Sequence, residues 1–232
     1  MSLNKWKIRQ IIIGFGARLI QFLESGSVNL NGDRDVEWSF VAANIDISSA
    51  SGRALDFGCG SSSYLGLIAA RAGYEVVSID LEPVNWFYSH PYLKFYQGDI
   101  LNFNFPEKSF ELIINCSSIE HVGLAGRYGV KKEDPNGDIK TMRKMRKILE
   151  PQGRMLLTIP VGQDAIFPPF HRIYGKNRLP KLLENFIIEK EEYWVKNDQN
   201  KWVLTDRLTA LDTIPKENFY GLGCFVLKPK NE

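Results

Sequence analysis

The segment Arg53-Ala54-Leu55-Asp56-Phe57-Gly58-Cys59-Gly60-Ser61-Ser62-Ser63 constrains the fold more than any other part of the chain. It reads as a short apolar strand, an acidic residue and a glycine turn that opens into a helix. Gly58 and Gly60 allow a tight turn and a close backbone approach to a ligand at the strand's carboxyl end. Asp80 closes the next apolar strand, Val76-Val77-Ser78-Ile79. An acidic side chain there can accept hydrogen bonds from both hydroxyls of a ribose. The two features together point to a ligand that contains a nucleoside.

From Arg53 onward, strand-like and helix-like stretches alternate. Residues 63–72 predict a short helix, 75–79 a strand, and 93–96 another that ends in Gly98-Asp99. Residues 110–115 are nearly all apolar, as a strand buried on both faces should be. Residues 138–149 suit a helix whose Lys140, Arg143, Lys144 and Lys147 form a solvated face. Pro151-Gln152-Gly153 predicts a turn into a fifth strand over 154–159. This order implies a parallel sheet with right-handed crossovers. The last third breaks the pattern. Residues 187–195 and 201–205 read as strands joined by Asn197-Asp198-Gln199-Asn200, a hairpin at one sheet edge, and 223–228 supply a final strand.

No linker, repeat or low-complexity stretch divides the chain, so one domain over 1–232 is expected. It divides into a helical cap or lid over 1–50, a binding core over 51–160, and substrate-side loops and late strands over 161–232. At 232 residues and 44% hydrophobic, the chain is long enough for one substantial core. A net charge of +2 without a basic stripe argues against nucleic acid as partner. Cys59, Cys116 and Cys224 are widely spaced and form no C-x-x-C pair, which excludes a disulfide framework and fits a cytoplasmic location. His121, His171, Asp134 and Asp138 match no metal-ligand spacing, so no metal is expected.

Near the N-terminus, Ile8, Ile11, Ile12, Phe15, Leu19, Phe22 and Leu23 follow helical spacing, with Lys5, Lys7, Arg9 and Arg18 on or near the other face. The main reading is a helix packed on the domain or over its site. Peripheral membrane contact is the lesser one. Arg18 interrupts the apolar stretch and no small-residue cleavage site follows, so no signal peptide is read there. Nothing reaches the run of about 18 apolar residues that a membrane-spanning helix needs.

Four features together resemble the class I S-adenosyl-L-methionine-dependent methyltransferases. They are Leu55 to Gly60, Asp80, Gly98-Asp99-Ile100, and Leu149-Glu150-Pro151-Gln152-Gly153 before the fifth strand. Within that superfamily, Ser117-Ser118-Ile119-Glu120-His121-Val122-Gly123-Leu124 and Arg127-Tyr128-Gly129 resemble a little-characterised branch. Val130 stands where its members often carry Asp. The resemblance implies a Rossmann-like, seven-stranded, mostly parallel sheet with an antiparallel edge hairpin. It implies that Asp56, Gly58, Cys59 and Gly60 line the donor's methionine end, Asp80 and Leu81 its ribose, and Asp99 and Ile100 its adenine. Cys116 and Ser117 would lie beside the sulfonium.

A dinucleotide-binding dehydrogenase is the competing enzyme reading. It prefers a third glycine where Ser63 stands, and Asp56 would repel a pyrophosphate. A non-catalytic donor-binding module is the competing reading outside enzymes. Methyl transfer to a hydroxyl needs an in-line arrangement and a proton acceptor. His121, after the fourth strand, is the candidate base, and Glu120 can orient it. Arg127, Tyr128, His171 and Arg172 are candidates for holding an anionic or polyhydroxyl acceptor, with Arg34, Glu37 and Trp38 as part of a lid. The expected activity is O-methylation of a small sugar-like or polyketide-like molecule.

Overall fold

The computed structural model describes residues 32–47, 52–61, 63–126, 128–130 and 132–230. The apolar N-terminal stripe over 8–23 and Arg127 lie outside them. Helix α1 (Asp33–Asn44) leads into strand β1 (Arg53–Phe57), helix α2 (Leu65–Ala72), β2 (Glu75–Asp80), β3 (Leu93–Gln97) and β4 (Phe110–Cys116). Then come helix α3 (Gly137–Ile148), β5 (Leu149–Val161), and the short pair β6 (Ala165–Phe167) and β7 (His171–Ile173). Helix α4 (Arg178–Leu182), β8 (Phe186–Lys196), β9 (Trp202–Thr205), α5 (Arg207–Asp212) and β10 (Gly221–Pro229) complete the order.

One sheet carries eight strands in the order β3-β2-β1-β4-β5-β10-β8-β9. The first five are parallel, and β10 runs antiparallel between β5 and β8. The sheet has eight strands where the resemblance implies seven, and the outermost, β9, pairs antiparallel with β8 as the expected edge hairpin. Alternation along β1 explains the layering. Leu55 and Phe57 face a core with Met142, Met145 and Ile148 of α3, whereas Ala54 faces Phe40 and Val41 of α1 and Leu65 and Ala69 of α2. Helices thus cover both faces, as an all-parallel core requires.

The expected turn at Pro151-Gln152-Gly153 is part of β5 instead. Phe110 pairs with Leu149 and Leu112 with Arg154, so residues 150–153 bulge out opposite Glu111 while the strand continues. Chain that leaves α3 at Leu149 is already extended, and the irregularity sits inside the ladder.

Gly66, in the first turn of α2, lets that helix rest directly on the sheet. A Cβ there would lie 2.7 Å from Asp56 Oδ2 and 2.9 Å from Ser78 Oγ. Gly66→Ala is therefore expected to lower stability by about 1–3 kcal/mol, although alanine favours an isolated helix by about 1 kcal/mol. Urea unfolding measures the net sign, and a more stable variant would show that α2 does not need this contact.

Candidate functional site

Beta1 sits between β2 and β4, so the chain leaves its carboxyl end in one direction and returns to β4 on the other side. Such a reversal opens a crevice at the carboxyl edge of the sheet. Here the loops after β1, β2, β3 and β4 enclose a cavity of about 980 Å³. Asp56, Gly58, Cys59, Gly60, Asp80, Leu81, Asp99, Ile100, Cys116 and Ser117 all line it, together with His121 and Tyr128.

The glycine turn is held from three sides. Gly58 and Gly60 have φ of 70° and 56°, in the left-handed region that side chains disfavour. Gly58 N–H donates to Ile79 O at 2.8 Å, and its carbonyl accepts Ser118 Oγ–H at 3.1 Å. Gly60 N–H donates to Asp80 Oδ2 and Glu82 N–H to Oδ1, both at 2.9 Å, so Asp80 joins the first two loops. Trp86 Nε1–H donates to Gly60 O at 3.0 Å and Tyr88 O–H to Ser63 O at 2.7 Å, with the two rings stacked at 5.3 Å. Sequence reasoning missed this pair. Its signal was the aromatic run Trp86-Phe87-Tyr88 in the loop that follows the acidic strand end at Asp80.

Asp56 is buried and accepts from Ser78 Oγ at 3.4 Å and from the Gly66 backbone. Burial pushes its carboxyl up to about 7, against the pull of those hydrogen bonds. Asp99 caps the 3₁₀ turn Ile100–Asn102, accepting Leu101 N–H at 2.9 Å. Lys144, expected on a solvated face, instead reaches across to this loop, where its ammonium donates to Leu101 O at 3.0 Å and to Phe103 O at 2.5 Å.

Beyond β4 a second polar cluster forms. Glu37 of α1 is buried, and its Oε2 accepts Arg34 at 3.0 Å. Its Oε1 accepts Thr158 Oγ1–H at 2.9 Å and Ser117 Oγ–H. Burial raises the Glu37 carboxyl, while Arg34 and the Ser117 hydroxyl pull it down. His121 Nδ1 lies 2.5 Å from Phe170 O. A carbonyl can only accept, so Nδ1 carries the proton and the lone pair of the neutral ring is on Nε2. Nε2 lies 3.6 Å from Glu120 Oε1. Glu120 is buried, which pushes its carboxyl up to about 8, and among the described residues its Oε2 has no hydrogen-bond partner. Tyr128 packs on the His121 ring at 4.8 Å.

Arg172 is not brought to the cavity, contrary to its expected role in acceptor binding. It is fully buried and donates to Glu120 O at 3.2 Å, Val122 O at 2.6 Å and Asp134 O at 3.2 Å. Asp138 lies 4.0 Å from its Nε and also accepts from Arg178 and Tyr174. The guanidinium is spent on backbone carbonyls and ties together both limbs of the loop that walls the cavity. His171 likewise stays behind the wall, buried against Tyr220 and Phe167, 6.4 Å from the His121 ring.

A family model described as "Caenorhabditis protein of unknown function, DUF268" matches residues 99–216, just over half of the chain, and the chain belongs to that family. No curated protein matches it. Among solved structures it is similar to the Burkholderia thailandensis 1,6-didemethyltoxoflavin-N1-methyltransferase, with 13% identity, TM-score 0.55, and coverage of 99% of this chain and 92% of that one. The N-methyltransferase NodS of Bradyrhizobium japonicum matches at 16% identity and TM-score 0.56, covering 87% and 90%. The cyclase SpnF matches at 15% and 0.55, covering 89% and 88%. These likenesses establish a Rossmann-like methyltransferase fold.

Two outcomes follow from the buried charges. Unfolded Asp56 releases its proton near pH 3.8, whereas the folded carboxyl holds it to about 7. Between those values the folded chain binds the extra proton, so this group's contribution to stability falls as pH rises, by about 1.4 kcal/mol per unit. Asp56→Asn should flatten the stability profile over that window in chemical denaturation; a parallel profile would place the ionised carboxylate in the folded state. Arg172→Met should cost about 3–5 kcal/mol, because Asp138 and three carbonyls lose a buried cation. A loss below about 1 kcal/mol, as for exposed pairs, would show that the fork does not hold the loop.

Proposed function

We propose that this chain is an S-adenosyl-L-methionine-dependent methyltransferase acting on a small molecule, with O-methylation of a sugar-like or polyketide-like hydroxyl as its reaction and the cytoplasm as its location. The observation that carries this reading is the succession of acids along one cavity. Asp56, Asp80 and Asp99 stand at the carboxyl ends of β1, β2 and β3, and Cys116 and Ser117 stand at the end of β4. Two neighbours in fold were crystallised with bound S-adenosylhomocysteine, which supports the same ligand class here.

The residues fit that ligand. Asp56 is a buried carboxyl without a cationic partner among its interactions, so an ammonium group would restore its ionised form. Asp80 uses one lone pair on each oxygen for backbone N–H groups, leaving acceptor capacity for two ribose hydroxyls. Asp99, braced by Leu101, and Ile100 would take the adenine. When bound, the donor supplies an electrophilic methyl group on a positively charged sulfur. The chain's own part is to align the acceptor with that methyl and to take up the acceptor's proton. Tyr128 and Trp38 line the acceptor half, with Arg34 beside them and Arg127 assigned there by sequence. His121 lines the same cavity, and Glu120 Oε1 lies 3.6 Å from its Nε2.

The cyclase SpnF shows that a similar fold carries a reaction other than methyl transfer, and the second reading is a donor-binding domain that transfers no methyl group. A nicotinamide or nucleotide-sugar ligand is disfavoured by Asp56 beside the glycine turn, where a pyrophosphate would meet a carboxyl.

Purified protein should bind S-adenosylmethionine and S-adenosylhomocysteine in calorimetry and gain thermal stability with ligand concentration. Asp80→Ala should weaken that binding by about 1–3 kcal/mol. Binding of NADH with no response to either adenosyl compound would sink the reading. A screen of hydroxyl compounds by mass spectrometry, seeking the gain of one methylene in mass, identifies the acceptor, and donor binding without any such gain would favour the non-catalytic domain.

A further inference from the structure

We propose that Ser117 and Glu37 form the route by which the acceptor's hydroxyl proton leaves the site, with Ser117 touching the acceptor and Glu37 acting through it. The inference rests on the methyltransferase reading and deepens it. His121 is the group that sequence suggests for this task, yet its Nδ1 faces Phe170 O and its Nε2 faces Glu120. Ser117 is placed differently. It follows β4 directly, with a φ of 45°, and it lines the cavity while its Oγ–H donates into the protein, to Glu37 Oε1.

The other side of Glu37 is built for a carboxylate that waits for a proton. Arg34 holds Oε2 at 3.0 Å, and the Thr158 hydroxyl holds Oε1 at 2.9 Å. The carboxyl is 1% exposed, so water does not compete for its proton. Burial raises its affinity for a proton, while Arg34 and the Ser117 and Thr158 hydroxyls pull it down.

The step balances as follows. The acceptor oxygen forms a bond to the methyl carbon while the sulfur–methyl bond breaks, and the sulfur keeps that electron pair and becomes a neutral thioether. The acceptor's proton passes to Ser117 Oγ as Ser117's own hydroxyl proton passes to Glu37 Oε1. Glu37 ends as a neutral carboxylic acid beside Arg34 and, once the product has left, returns the proton through Ser117 to water in the open cavity.

The test uses the full chain and two mild variants, Ser117→Ala and Glu37→Gln. Glu37→Gln should bind S-adenosylhomocysteine within about twofold of the wild type, which verifies the fold and the donor site. Ser117→Ala, which removes a hydroxyl that this route sets beside the sulfur, is checked for folding by its urea midpoint instead. With the hydroxyl compound found by the mass screen, each should lower kcat by roughly 10²–10⁴-fold and leave the acceptor KM nearly unchanged. The double variant should be no slower than the single ones. A crystal structure of the wild type with S-adenosylhomocysteine decides the geometry without an acceptor. The space between sulfur and Ser117 Oγ should admit one acceptor oxygen, about 3 Å from each. A sulfur turned away from Ser117, or normal kcat in either variant, overturns the route. A loss of turnover in His121→Ala alone moves the task to the His121–Glu120 pair and overturns it too. No binding of S-adenosylhomocysteine at all overturns instead the donor reading beneath it.

Discussion

The placement of β1 between β2 and β4 is the constraint on which the site depends. Loops from adjacent parallel strands normally pack together, but at this reversal they part and leave room for a ligand. The protein then has to stop the gap from collapsing or fraying. Asp80 does this on one side by accepting backbone N–H groups from both the glycine turn and its own loop. Arg172 does it on the other by gathering three carbonyls from residues 120–134. A carboxylate and a guanidinium, each bonded to main chain, hold the two walls apart.

What the sequence revealed and what it hid divide along sequence distance. The glycine turn, Asp80 and Asp99 act on residues close to them in the chain or at a strand end, and their spacing was legible. Ser117 and Cys116 were legible because they end an apolar strand. Arg172 was misread because a cation after a strand looks the same whether it meets a ligand or buried carbonyls; only the fold supplies Glu120, Val122 and Asp134 as partners. Glu37 was read as part of a lid, and its partners Ser117 and Thr158 lie far along the chain. Nothing local in Asp35-Val36-Glu37-Trp38 distinguishes a buried carboxylate from a solvated helix face. The bulge at 150–153 was hidden for a related reason, since Pro151-Gln152-Gly153 has the composition of a turn and only pairing with β4 shows that the strand continues.

The cavity gathers acids where nucleotide phosphate sites gather backbone N–H groups and cations. Asp56, Glu37 and Glu120 are all buried close to its floor, and burial raises the carboxyl of each. One helix turn, one arginine and a few hydroxyls do not neutralise three carboxylates in a low-dielectric site, so protons remain on some of them near neutral pH. A phosphate-bearing ligand would add charge of the same sign. A ligand with an ammonium and a sulfonium group would bring the missing opposite charges.

The same electrostatics give α1 its importance. This helix precedes the sheet in the chain and adds no strand, yet it supplies Arg34 and Glu37 to the end of β4 and Trp38 to the aromatic wall, where its ring meets Tyr64 edge-on at 6.0 Å. Arg34 remains half exposed at its side chain while Glu37 is buried beneath it, so the cation faces the cavity and the anion faces the sheet. Moving α1 away would strip Glu37 of Ser117 and Thr158 and expose the β4 end to water in one motion. The part of the cavity built by the loops after β1 to β3 would keep its shape. The loops after β1 to β3 and the polar cluster of α1 and β4 are thus separable parts of the fold, joined at Ser117.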